Sequence, residues 1–96
     1  MTRYTVVWEP ELHADFIRVW IAADSTLRAA LTRASDWIDR HLVVDPDRQG
    51  RPSEFDPACR TILVPDTGEH SIVVLYRVRP DDRQVDVVAF QHDLDE

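Results

Sequence analysis

The sequence predicts an α+β domain: an N-terminal strand, a helical hairpin, then a three-stranded antiparallel meander, with the helices packed on one face of the sheet. Three observations predict it. Residues 12–42 carry apolar side chains at helical spacing, interrupted once by Asp24-Ser25-Thr26. Residues 59–64, 71–79 and 84–90 are runs rich in β-branched residues, separated by segments of Pro, Asp and Gly. The segment between these halves is rich in proline and charge.

Residues 3–8 alternate Tyr4, Val6 and Trp8 against Arg3, Thr5 and Val7, the period of a strand. Pro10 suits the first position of a helix, where its missing N–H costs nothing. Glu9 and Glu11 favour the positive end of that helix. Leu12, Phe16, Val19, Trp20 and Ala23 share one face, widened by Ile17 and Ile21. Asp24, Ser25 and Thr26 are capping residues. They open a second helix with Leu27, Leu31, Ala34, Ile38 and Leu42 on one stripe, and the short link makes an antiparallel hairpin. Residues 45–57 hold three prolines, one glycine and six charges, which read as a loop, with Pro46 ending the helix. Residues 93–96 are acidic and are expected to fray.

Ninety-six residues are expected to form one domain, burying roughly two-thirds of the unfolded surface. No apolar run approaches the ~20 residues of a membrane helix, and no leader pattern is visible. With Cys59 as the one cysteine, a reducing, cytoplasmic setting is expected. All eleven basic residues are Arg, as a GC-rich genome would give; Arg also grips carboxylate or phosphate with a planar fork. The net charge of −7 opposes nucleic-acid binding on average, although a local basic patch survives screening over about 8 Å.

A four-residue turn at Pro80 to Arg83 sets a register in which Arg79 faces Gln84, Val78 faces Val85, Tyr76 faces Val87 and Val74 faces Ala89. Those residues share one apolar face, which is assigned to the helices. The other face then carries Ser71, Val73, Leu75, Arg77 and Arg79, with Asp86, Val88, Phe90 and His92 from the next strand. Two helices cover only one side of a small sheet. The second face is therefore expected to leave an apolar patch rimmed by Arg and His, unless a loop or the first helix folds over it. A slip of one residue would exchange the faces.

The order of elements resembles the RelE/ParE toxin superfamily. The opening Tyr4-Thr5-Val6-Val7-Trp8-Glu9-Pro10 is similar to that family's first strand and its turn into the first helix. Gly50-Arg51-Pro52, Arg60, the run 72–78 and the run 85–90 resemble its loop and later strands. The resemblance spans nearly the whole chain and implies that the sheet's concave face is functional. In the ribonuclease branch, Arg, Lys, Tyr or His side chains activate a ribose 2′-hydroxyl and stabilise phosphate charge without metal. The gyrase-poisoning branch shares the fold without that set. Both are neutralised by an antitoxin segment that wraps the toxin. This chain departs from the ribonuclease pattern. Gln91-His92 is followed by Asp93-Leu94-Asp95-Glu96 in place of basic residues, and lysine is absent.

The resemblance thus implies a toxin-like component acting by protein contact, directed at gyrase, with an antitoxin partner. Val73, Leu75, Arg79, Val88 and Phe90 are the expected partner-binding residues. The alternative is a metal-free endoribonuclease, acting free or on the ribosome, with Arg60 and Arg77 as phosphate clamp and His92 as acid or base. Imidazole has the intrinsic pKa for either role, about 6.5. His70 is more simply solvated, and Tyr76 is core. Arg77 faces Asp86 and has an ordinary ion pair as its competing role; Arg79 has Asp81 and Asp82 nearby. A non-toxic interaction module or homodimer is the third reading. No cofactor, metal or membrane partner is expected. His41 with Asp45 is a lone pair where zinc wants three or four ligands, and no His is placed to activate Cys59. Trp8, Trp20 and Trp37 read as core, and two glycines eighteen residues apart make no phosphate loop.

Overall fold

The computed structural model describes residues 3–54 and 56–93. Strand β1 spans Thr5–Trp8, helix α1 Pro10–Ala22 and helix α2 Ser25–His41. Four strands follow: β2 (Arg51–Pro52), β3 (Cys59–Leu63), β4 (Ile72–Arg79) and β5 (Gln84–His92). They form one sheet in the order β1-β5-β4-β3-β2. The meander β3-β4-β5 is antiparallel as predicted. The first strand joins it parallel to β5, pairing Thr5 with Gln84 through Trp8 with Val87. The hairpin between them supplies the long crossover that a parallel pair requires.

Helix α1 starts at Pro10, in the first turn where proline fits, and has Glu9 as its N-cap without a side-chain cap bond. Helix α2 is capped by the Asp24 carboxylate, which accepts from the Leu27 N–H at 2.8 Å. Arg28 reaches back across the link and donates to the carbonyls of Trp20, Ile21 and Ala23. It thereby satisfies the open end of α1, and its guanidinium lies 4.4 Å from the Trp20 ring centre. The two-residue link is held by a side chain rather than by a glycine.

Leu12, Ala30, Leu31, Ala34, Ile38 and Leu42 form the helical side of the core. Val64, Ile72, Val74, Tyr76, Val85 and Val87 face them from the sheet. Tyr76 is fully buried, as its place in the register predicts. Trp8 and Phe16 meet edge to face at 5.3 Å and extend this core toward α1.

The connection after α2 is anchored from beneath. The Tyr76 hydroxyl lies 2.8 Å from the Pro46 carbonyl and 2.7 Å from that of Gln49. The Gln49 amide in turn donates to the carbonyls of His41, the last residue of α2, and of Val44 just beyond it. Gly50 follows at φ +67°, where a Cβ would stand 2.2 Å from the Thr61 carbonyl oxygen. Only glycine lets β2 pack this close to β3. At the other end Asp93, predicted to fray, is fastened: its carboxylate accepts from the Ser71 N–H and contacts the His70 ring. Residues 94–96 of the same expectation lie outside the described residues.

Candidate functional site

The register from Arg79 facing Gln84 to Tyr76 facing Val87 is the one the turn length predicts. Beyond it the structure departs from expectation. A bulge at Val88 lets Leu75 pair with Ala89, Val74 with Phe90 and Ile72 with His92. One extra residue in β5 exchanges its two faces from that point on. Phe90 and His92 were expected on the open face. Phe90 instead turns toward the helices and meets the Phe16 ring edge to face at 5.2 Å. His92 follows it to that side, and Ala89 and Gln91 take their places on the open face. The physical reason is packing: the bulge delivers a large aromatic ring to Phe16. The signal was present as the adjacent Val87 and Val88, where the alternation of apolar residues breaks.

Arg60 also differs from expectation. It pairs with Tyr76 and so shares the helix-side face, while Cys59 is the residue opposite Arg77. Its guanidinium donates to the Gln49 carbonyl at 2.7 Å and to the Gly50 carbonyl at 3.2 Å. It ties down the loop. Of the three residues assigned to an anion and acid–base set, only Arg77 stands on the open face; the structure does not bring Arg60, Arg77 and His92 together. His92 contacts Asp93 at 3.3 Å, and Asp93 is closer to His70, at 2.7 Å.

What the open face does hold is a groove of about 320 Å³. Val73, Leu75 and Arg77 of β4 run along its floor, with Thr61 on one side and Val88 and Gln91 on the other. Val73, Leu75 and Val88 therefore lie where the sequence reading put them. Phe90 borders the groove but commits its ring to Phe16. Arg79 lies beyond it, paired with Asp82 at 2.8 Å and with Asp86 at 3.5 Å. Leu63, 62 % exposed, continues the apolar surface along β3.

The loop before β3 closes one end of the groove, so this face is partly covered. The Ser53 N–H donates to the Cys59 carbonyl, and the Cys59 N–H to that of Asp56. The Asp56 carboxylate accepts from the Ala58 N–H, lies 3.6 Å from the Cys59 thiol and reaches Arg77 at 3.4 Å. The Ala58 amide, followed by the thiol and Arg77, holds the Asp56 carboxyl below the ordinary range despite some desolvation. Burial pushes the Cys59 thiol up, so it is poorly suited to act as a thiolate. Arg77 does face Asp86 across the strands, yet its ion pair is with Asp56, a loop residue that strand spacing alone does not reveal. Among the described residues the groove thus offers an apolar floor with the Arg77–Asp56 ion pair at one end. That arrangement suits an extended apolar segment carrying a carboxylate better than it suits phosphoryl chemistry.

This sheet, with a helical hairpin on one side and a groove on the other, is the fold of RelE-type toxins. The chain is similar to the toxin–antitoxin complex RelBE2 from Mycobacterium tuberculosis, with a TM-score of 0.73 at 18 % identity over 99 % of this chain and 97 % of that one. A mutant of the Escherichia coli toxin RelE in complex with an antitoxin RelBc peptide aligns with a TM-score of 0.60 at 16 % identity, covering 99 % of this chain and 87 % of that one. The free form of the RelE mutant aligns with a TM-score of 0.58 at 16 % identity, covering 93 % and 82 %. No protein-family model matches the sequence, and no curated protein matches it. No helix among the described residues is long and apolar enough to cross a membrane.

Proposed function

We propose that this chain is the toxin-like component of a type II toxin–antitoxin system, acting by protein contact and neutralised by an antitoxin segment. The single observation that carries the reading is the open groove of Val73, Leu75 and Arg77 on a RelE-like fold that aligns over nearly the whole chain. The structures similar to it include toxins bound to antitoxin protein or peptide. Fold alone does not carry activity, so the groove's chemistry has to bear the argument. An antitoxin strand laid along β4 would bury apolar anchors on Val73 and Leu75 and place a carboxylate at Arg77 in competition with Asp56.

Within that reading the gyrase-directed mode is favoured over RNA cleavage. Cleavage needs a base near the 2′-hydroxyl and an acid near the leaving oxygen, converging on one phosphate. Arg60 is spent on loop carbonyls and His92 faces away from Arg77. The net charge of −7 points the same way.

The test is induction of the chain alone in a bacterial host, with and without the adjacent small gene. Growth arrest relieved by co-expression is expected, together with inhibition of DNA supercoiling by purified gyrase. Leu75→Glu is expected to abolish the antitoxin interaction in pull-down while the far-UV spectrum is unchanged. Normal growth at high expression would sink the toxin reading. Messenger RNA cleavage by the purified chain, with or without ribosomes, would replace the gyrase mode with the nuclease.

A further inference from the structure

The sheet has an unfinished edge. Strand β1 accompanies β5 only as far as Val87, where Trp8 is its last partner. The chain then leaves the sheet at Pro10 to form α1, while β5 continues to His92. Residues 88–92 therefore have a strand on one side, β4, and none on the other among the described residues. The Asp93 N–H donates to the Ser71 carbonyl across the β4 side. Since alternate residues of an antiparallel strand turn their backbone groups the same way, Gln91 faces β4, and Phe90 and His92 turn theirs outward.

That outward edge opens into a cavity of about 640 Å³ between β5 and α1. Leu12 and Val19 of α1 and Val88 and Phe90 of β5 give it an apolar floor, and Glu9, Glu11 and Asp15 give it an acidic wall. Asp15 is already engaged by Arg18 at 2.9 Å. Glu9 and Glu11 are exposed and take part in no ion pair among the described residues. Unpaired backbone groups, an apolar floor and two uncompensated carboxylates occur together, and each constrains the occupant differently. The edge wants an extended backbone. The floor wants small or branched apolar side chains on one side of it. The wall wants cations. A second copy of this chain is a poor match, because the whole molecule carries −7 and the wall would meet like charge.

We propose that the β5 edge at residues 88–92 is a strand-addition site for an extended, basic segment of a partner protein, which takes the column that β1 vacates after Trp8. The segment alternates apolar residues over Leu12, Val88 and Phe90 with Lys or Arg toward Glu9 and Glu11. The site opens on the α1 side of β5, shares only the β5 residues Val88, Ala89 and Phe90 with the border of the Val73–Leu75–Arg77 groove, and does not depend on the chain being a toxin.

The probe is a synthetic peptide of alternating Val and Lys with blocked ends, titrated into the full chain at low salt and followed by calorimetry and amide hydrogen exchange. Binding is expected to slow exchange at the Phe90 and His92 amides by about tenfold or more. It is expected to weaken about tenfold in Glu9→Lys/Glu11→Lys and with a Val/Glu peptide, and to fade with added salt. His92→Pro, which removes one outward N–H at an edge that tolerates proline, is expected to lose binding while His92→Ala keeps it. Should His92→Pro fail to fold, a backbone N-methylated Val/Lys peptide makes the same test on the wild-type chain, and equal binding by that peptide would overturn the proposal. So would equal binding by the Val/Glu peptide, protection confined to Val73 and Leu75, or concentration-dependent protection of Phe90 and His92 without peptide, which would mark a homodimer.

Discussion

Tyr76 shows how one side chain decides a connection. Its ring is core, and burial pushes its phenol above the ordinary range, so the hydroxyl stays protonated and can donate to the Pro46 or Gln49 carbonyl. Arg60 also serves the Gln49 carbonyl, and the Pro46 carbonyl has a second, longer bond from the Gln49 N–H at 3.4 Å. Tyr76→Phe is therefore expected to cost about 0.5–1.5 kcal/mol in urea unfolding, the net worth of a buried hydrogen bond whose acceptors keep a second donor. A loss under about 0.3 kcal/mol would show that another group takes over. Asp93 makes a prediction in pH. Its carboxyl is held below the ordinary range first by His70, then by His92 and the Ser71 N–H, against some desolvation. A depressed carboxylate adds stability above its unfolded pKa, about 3.9, and loses it as pH falls through the lower folded value. Asp93→Asn should therefore flatten the acid limb of a stability–pH curve: its deficit against the wild type is full and constant above about pH 4.5 and shrinks as the pH falls below it. An unchanged acid limb would mean that the Asp93 contacts are absent in solution.

At the level of elements, the hairpin and the meander were legible because their signals are local. The capping Asp24, the stripe on α2 and the turn at Pro80 each lie within a few residues of what they determine. The parallel pairing of β1 with β5 was not legible, because nothing in residues 5–8 names a partner some eighty positions away. The two-residue β2 was read as loop, since Pro52 and the charges around it hide a strand that exists only because Gly50 lets it approach Thr61. The bulge at Val88 had a signal, the Val87-Val88 break, but its sense depends on Phe16 being there to receive Phe90. The sequence reading placed Phe90 on the open face, among the partner-binding residues. The structure reverses that: Phe90→Ala is expected to cost about 2–3 kcal/mol, somewhat below a fully buried Phe. Val73→Ala on the open face should cost less than about 1 kcal/mol. Equal costs in chemical denaturation would argue that Phe90 lies outward after all.

The whole molecule is acidic and small, and that combination has a measurable consequence. Eighteen acidic residues and eleven arginines share a body with a radius of gyration of 13.1 Å. Much of the excess charge thus lies within a Debye length of about 10 Å at 0.1 M salt and is largely unscreened below that. Self-repulsion of this kind destabilises the compact state relative to an expanded chain. The opposing term is the set of ion pairs, which among the described residues includes Arg18–Asp15, Arg77–Asp56 and Arg79–Asp82, all three substantially exposed and each worth about 0–1 kcal/mol before screening. Salt weakens both terms, but the repulsion sums over every acidic residue while the pairs are few and weak. The melting temperature is therefore expected to rise by a few degrees between about 10 and 300 mM NaCl, in a scan at neutral pH. The same logic explains why composition spoke to partners more clearly than to the site. Charge is a sum over residues and can be read without coordinates, whereas the meeting of Val73, Leu75 and Arg77, and the parting of Arg77 from Arg60 and His92, depend on one residue of register. A fall in melting temperature with salt would mean that the local pairs outweigh the net charge, and Arg77–Asp56, which closes the groove, would be the first pair to remove by a double-mutant cycle.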